Sequence, residues 1–140
     1  MENFEKLGVF YLGKDYDLSQ KRVEDHPILL KSKDLTTHAI IIGMTGSGKT
    51  GLGISLMEEA ILDNIPIIAI DPKGDLSNLA CVFPSLDAHD FKPFVSVSDA
   101  ESKSLSLDDF ALDQASLWKQ GLADWGQDEN RLLTLKEKSN

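Results

Sequence analysis

Cysteine is almost missing from this chain. Cys81 stands alone among 140 residues, which excludes an internal disulfide framework and suits a reducing compartment. In the context LACVFP it reads as a small hydrophobe, not a nucleophile. Long apolar runs are missing too: the longest, residues 39–42 and 65–70, are far too short to cross a bilayer. The opening MENFEKLGVF carries acids and no extended apolar core of a secretory signal. These absences predict a cytoplasmic protein without membrane attachment. Basic charge is scarce as well, with 14 Lys and Arg against 23 Asp and Glu, a net charge of −9. Before Asp71 there are 10 acids and 7 bases, and from Asp71 onward 13 and 7, so neither half offers a basic stripe for a nucleic-acid backbone. The arginines are Arg22 and Arg131, leaving little material for an arginine finger.

What is present is ordinary in bulk: 41% apolar and 26% charged residues, enough for one domain with a buried core. Residues 4–36 read as short strands and turns. FEKLGVFYLG suits a strand, GKDYDLSQK is turn-rich, HPILL is extended again, and KSKD turns. HAIII and IPIIAI are continuous apolar runs without polar alternation, as expected of strands buried on both faces of a parallel sheet. Between them Leu52, Leu56, Met57, Ala60 and Ile61 recur at helical spacing, with Glu58, Glu59 and Asp63 assigned to the solvated face. Asn64 and Pro66 end that helix. The prediction is α/β: a βαβ core with a parallel sheet, short strands before it and a helical tail after it. In the tail LACVF and PFVSV could form short strands or buried loop pieces. Phe110, Trp118, Leu122 and Trp125 recur at helical intervals behind Ser106 as N-cap, Gly126 interrupts, and DENRLLTLKEK makes a second helix. With acidic neighbours, the two tryptophans read as packing anchors and not as a base-stacking platform. The predicted segments are 1–37, strands and turns; 38–98, the core; and 99–140, the acidic helical part.

The chemistry lies in GMTGSGKT, residues 43–50, which fits G-x-x-x-x-G-K-[ST] between a buried strand and an amphipathic helix. Phosphate oxygens must meet backbone N–H groups directly, so Gly43, Gly46 and Gly48 supply clearance and unusual dihedrals. Met44, Thr45, Ser47 and Gly51 complete the run of amides around the anion, at the positive end of the helix. Lys49 is expected to bridge the β- and γ-phosphates of ATP, and Thr50 to ligate Mg²⁺. Asp71 ends the following strand. It is either a residue acting near the γ-phosphate or the cap of its own DPKGD turn. Lys73 and Asp75 are weaker candidates, and His38 reads as structural.

DPKG also fits the D-x-x-G of GTPases, but no N-K-x-D motif occurs and no switch loop fits between it and the P-loop. A partition ATPase of the ParA/MinD kind ends its second strand similarly, yet carries an extra loop lysine that GMTGSGKT lacks. The chain more closely resembles the HerA/FtsK superfamily of hexameric P-loop (RecA-like) ATPases. THAIIIGMTGSGKT is similar to its histidine, strand and loop, IDPKGDLSNL to the turn ending its next strand, and WKQGLADWGQDENRL to a bacterial HerA-like subgroup, so the likeness runs from about residue 10 to 131. The resemblance implies Lys49 and Thr50 as phosphate and Mg²⁺ contacts, a homo-oligomeric ring, ATP-driven movement of DNA, and a nuclease or effector partner. It also implies Walker B acids on a later strand. After Asp71 no run of four apolar residues ends in Asp or Glu. The expectation is therefore an incomplete core, the N-terminal piece or a shortened relative of such an ATPase, with DNA contacts outside this chain. The alternative is a ParA/MinD-like or hydrolysis-deficient module for nucleotide-dependent binding and assembly.

Overall fold

The structure, a computed structural model, describes residues 6–76, 79 and 81–139. The chain divides into two units, Met1–Cys81 with Lys138–Asn140, and Val82–Glu137. The first unit opens with an antiparallel hairpin of β1 (Val9–Asp17) and β2 (Arg22–Lys31). Asp17 builds its turn: Oδ1 accepts from the Ser19 and Gln20 N–H groups at 2.7 and 3.0 Å, and Lys21 takes a left-handed φ of 52°. GKDYD thus lies within β1, and the turn is confined to the four residues after it. In register, Phe10 faces Leu30, Tyr11 faces Leu29 and Tyr16 faces Val23, with irregularities beside Gly13 and Tyr16. A 3-10 turn, Ser32–Leu35, follows β2.

Helix α1 (Lys49–Leu62) forms where the 3.6-residue period predicts it. It ends in a Schellman motif around Asn64, whose φ is 58°: the Ile65 N–H reaches the Ala60 carbonyl at 2.8 Å, and the Asn64 N–H reaches Ile61 at 2.9 Å. The flanking parallel strands are not seen among the described residues. Among the described residues the one sheet is the β1–β2 hairpin, and residues 38–43 and 66–70 make no backbone hydrogen bonds. Most of their isoleucines stand in solvent, Ile42 at 82% and Ile68 at 93% exposed, while Ile67 is half-buried. The physical reason is that a strand's hydrogen bonds are made between segments: an apolar run becomes a strand only where a neighbour supplies donors and acceptors. The two runs do not serve each other.

A second correction concerns α1. Its apolar stripe is half-buried or exposed, while Glu59, expected on the solvated face, is 7% exposed and faces β1. Glu59 follows Leu52 by seven residues and Leu56 by three, and Asp63 follows Leu56 by seven, so both acids share the face of those leucines.

The second unit is helical. It holds α2 (Ala88–Phe91), a 3-10 turn (Lys92–Phe94), α3 (Val97–Ser102), α4 (Leu107–Asp124) and α5 (Glu129–Lys138), whose last residue belongs to the first unit. Ser106 caps α4 as expected, its Oγ accepting from the Asp109 N–H at 3.1 Å. Gly126, with φ 72°, closes α4 in a second Schellman motif, in which the Gln127 N–H meets the Leu122 carbonyl at 2.8 Å. Phe91, Ala111 and Ala115 form the core, joined by Phe83, Leu86, Ala88 and Val95. Phe83 lies 5.0 Å from Phe91 and 5.2 Å from Phe94, ring centre to ring centre. PFVSV is no strand: it closes the 3-10 turn and supplies Ser96, the N-cap of α3. The candidate strand LACVF includes Ala80, outside the described residues; its Val82 is buried in a loop. Trp118 packs on Phe91 with ring centres 6.1 Å apart, yet stays 53% exposed, so it anchors with one side only.

Candidate functional site

Residues 43–48 form an exposed loop that runs directly into α1. The Ser47 N–H bonds to the Met44 carbonyl at 3.2 Å, turning the chain, and Gly46 adopts φ 79°. Gly48 is the N-cap of α1 with φ 85° and offers no side chain to the first turn, so the helix begins with uncapped N–H groups. Gly43 meets a different demand. A Cβ there would lie inside the van der Waals shell of Ser47 Oγ, because the loop folds back on its own start. Met44, Thr45 and Ser47 lie between these glycines, and Thr50 and Gly51 stand in the first turn of α1. The nine residues of the predicted phosphate site are therefore consecutive on one loop and helix start.

Lys49 is the first residue of α1 and is half-buried. Its Nζ bends over the loop and donates to the Met44 carbonyl at 2.5 Å. An ammonium held there lies across the residues whose amides would meet an anion. Such a donor set, a cation above uncapped amides with a hydroxyl in the first turn, fits the phosphates of a nucleotide with a divalent cation. Groups of three or more His, Cys, Asp or Glu able to hold a metal by themselves are absent among the described residues.

Asp71 is engaged by its own turn. Its carboxylate turns into DPKGD: Oδ2 accepts from the Leu76 N–H at 2.7 Å, and Oδ1 accepts from Gly74 at 2.9 Å and Lys73 at 3.3 Å. Among the described residues no hydrogen bond joins it to Lys49 or Thr50. Ser77 and Asn78, part of the IDPKGDLSNL likeness, are outside the described residues. The backbone bond from Leu76 acts most strongly on the Asp71 carboxyl; burial opposes it, and with the further bonds from Gly74, Asp75 and Lys73 the group is held below its ordinary range. Because the folded pKa lies below the unfolded one, the turn keeps its full contribution above the unfolded value and loses it as pH falls through the folded value. A carbon-detected NMR titration should therefore give Asp71 a midpoint below that of a free aspartate, with the Gly74 and Leu76 amide shifts moving over the same interval. A midpoint at the free value would contradict the turn geometry.

Residues that the reading of the sequence did not single out are Glu59 and Asp63. Glu59 Oε2 accepts from the Tyr11 N–H at 3.0 Å and Asp63 Oδ2 from the Gly8 N–H at 2.8 Å. The signal for them was their spacing from Leu52 and Leu56.

Among the described residues no helix is long and apolar enough to cross a membrane. No solved structure matches the chain. A curated relative is the Type 4 coupling protein DotL of Legionella pneumophila, 37% identical over 76 residues. That match covers 54% of this chain and 9% of DotL, so the chain spans a small part of that relative's length. The family described as Helicase HerA, central domain, matches residues 16–125, most of the chain and all of the loop, α1 and the Asp71 turn. By that match the chain belongs to the HerA central-domain family, an ATPase-type domain.

Proposed function

We propose that this chain is the ATP-gripping module of a HerA-like, ring-forming ATPase that moves DNA in the cytoplasm. The observation that carries the reading is the loop from Gly43 to Gly48 ending in a left-handed glycine cap, with Lys49 bent over it. In this reading the amides from Gly43 to Gly51 and the ammonium of Lys49 would hold the phosphates of ATP, and the Thr50 hydroxyl would hold Mg²⁺, which would supply neutralisation of phosphate charge. Asp71 contributes on the γ-phosphate side by fixing the DPKGD turn. The isoleucines of residues 38–42 and 65–70 are the faces that further strands of a complete sheet would bury. The net charge of −9 argues that DNA is met by other parts of the protein or by few residues here.

A second reading, a hydrolysis-deficient module that assembles or binds a partner in response to nucleotide, is favoured by one observation: both oxygens of Asp71 are engaged by its own turn. Turnover separates chemistry from grip. The 140-residue chain is expected to bind Mg·ATP without steady hydrolysis, because the sequence offers no apolar strand ending in an acid after Asp71. Full-rate hydrolysis by this chain, abolished by Lys49→Ala, would overturn that division of labour. Salt-sensitive stimulation by DNA in a longer protein would support the motor, and a nucleotide-dependent change of oligomer size without turnover would support the second reading.

A further inference from the structure

We propose that Glu59 and Asp63 are positioning residues of the phosphate loop, clasping the hairpin that precedes the loop to the helix that leaves it. The effect on nucleotide rests on the ATP-gripping reading above, whereas the clasp itself does not.

The two carboxylates sit one turn apart near the end of the helix that begins at Lys49. Each accepts a main-chain N–H from the start of the hairpin: Glu59 from Tyr11 and Asp63 from Gly8. A side-chain carboxylate thereby serves the edge of β1 as a neighbouring strand would, and the edge in turn satisfies a carboxylate that is 7% exposed. Gly8 is the junction. Its N–H binds the helix that leaves the loop, and its carbonyl accepts from the Ser32 N–H at 3.0 Å, where β2 passes into the 3-10 turn that precedes the run to the loop. A φ of 82° lets one residue face both ways, a conformation that favours glycine. Residues 38–43 and 66–70 make no backbone hydrogen bonds among the described residues, so the two carboxylates are polar ties between α1 and the chain that precedes the loop. Release of the clasp would let α1 move against the entering chain and spread the loop amides that must converge on one anion.

Glu59→Leu removes the acceptor, and Glu59→Gln keeps it. In the full 140-residue chain, Glu59→Leu is expected to speed hydrogen exchange of the Tyr11 amide by about tenfold or more, corresponding to the loss of one charge-assisted bond. The amide chemical shifts of residues 46–50 should move in parallel, and Mg·ATP should bind several-fold more weakly, while Glu59→Gln stays near the parent in all three. Amides of α4 should not change, which separates the clasp from general loosening. Unchanged Tyr11 exchange would overturn the proposal. So would faster Tyr11 exchange with the loop amides unmoved, since the acid would then only hold the hairpin. If the parent chain itself binds no Mg·ATP, the nucleotide reading fails, and the loop amides still decide the clasp. Should Glu59→Leu not fold, Asp63→Ala read at the Gly8 amide and at residues 46–50 gives the same decision.

Discussion

Replacement of Lys49 by alanine is expected to weaken Mg·ATP binding by roughly ten- to a hundredfold, the equivalent of one charge-assisted hydrogen bond of about 1.5–3 kcal/mol. The lysine begins α1 and lies over a loop whose amides have no side-chain cap, so its loss removes the cation and leaves the cradle standing. Its present bond to the Met44 carbonyl must be given up when phosphate enters, which places the effect toward the lower half of that range. Folding should change little, because the loop is exposed and Lys49 only half-buried. Lys49→Arg should not restore affinity, since a planar guanidinium does not reproduce a compact ammonium in a tight loop. Calorimetric titration of the three chains with Mg·ATP, alongside their thermal midpoints, checks this. An equal dissociation constant for parent and Lys49→Ala would show that the lysine does not touch the nucleotide.

The second large effect belongs to the helical unit. Phe91→Ala is expected to cost about 3–5 kcal/mol, the usual result of emptying a buried aromatic site. Phe91 is the largest side chain of a core otherwise closed by Ala111 and Ala115, and it joins the rings of Phe83 and Trp118. The alanines cannot move to fill the space, because Ala111 is 1% exposed and already held by the backbone of α4. Against a typical stability of about 5–15 kcal/mol, such a loss removes a large fraction of what holds the unit folded. Trp118 and Trp125 are the chain's two tryptophans and both lie in Val82–Glu137, so their fluorescence in urea reports this unit. Phe91→Leu should recover most of the loss. A tryptophan-monitored midpoint that does not move in Phe91→Ala would mean that the aromatic cluster does not hold the unit.

Much of the geometry of the candidate site was legible in the sequence because its determinants are local. Three glycines, a lysine and a threonine at fixed spacing specify a loop and a helix start whatever surrounds them. The period of Leu52, Leu56 and Ala60 specifies the helix that follows. Ser106 and Gly126 mark the ends of α4 through bonds to residues only a few positions away. The Asp71 turn belongs to the same class: the alternative of a self-capping aspartate was visible in DPKGD, and its hydrogen bonds follow that alternative.

The tertiary structure decided three matters that the sequence alone did not. Residues 38–42 and 65–70 have the composition of buried strands, but a strand is a relation between segments, and its ladder needs partners that composition cannot supply. The assignment of Glu59 and Asp63 to solvent treated an acid as water-seeking. A carboxylate is buried readily when it accepts a main-chain N–H, and whether one arrives depends on where a hairpin some fifty residues earlier in the chain comes to rest. Trp118 has a ring partner on one side because Phe91 reaches it from α2, a contact that no spacing within α4 encodes. The sequence by itself thus determined the glycine-rich loop, the helices and their caps, where each donor finds its acceptor within a turn or two. Which faces are covered, and which edges are closed by side chains, rests on contacts distant in the chain, and these are fixed only when the whole unit has folded.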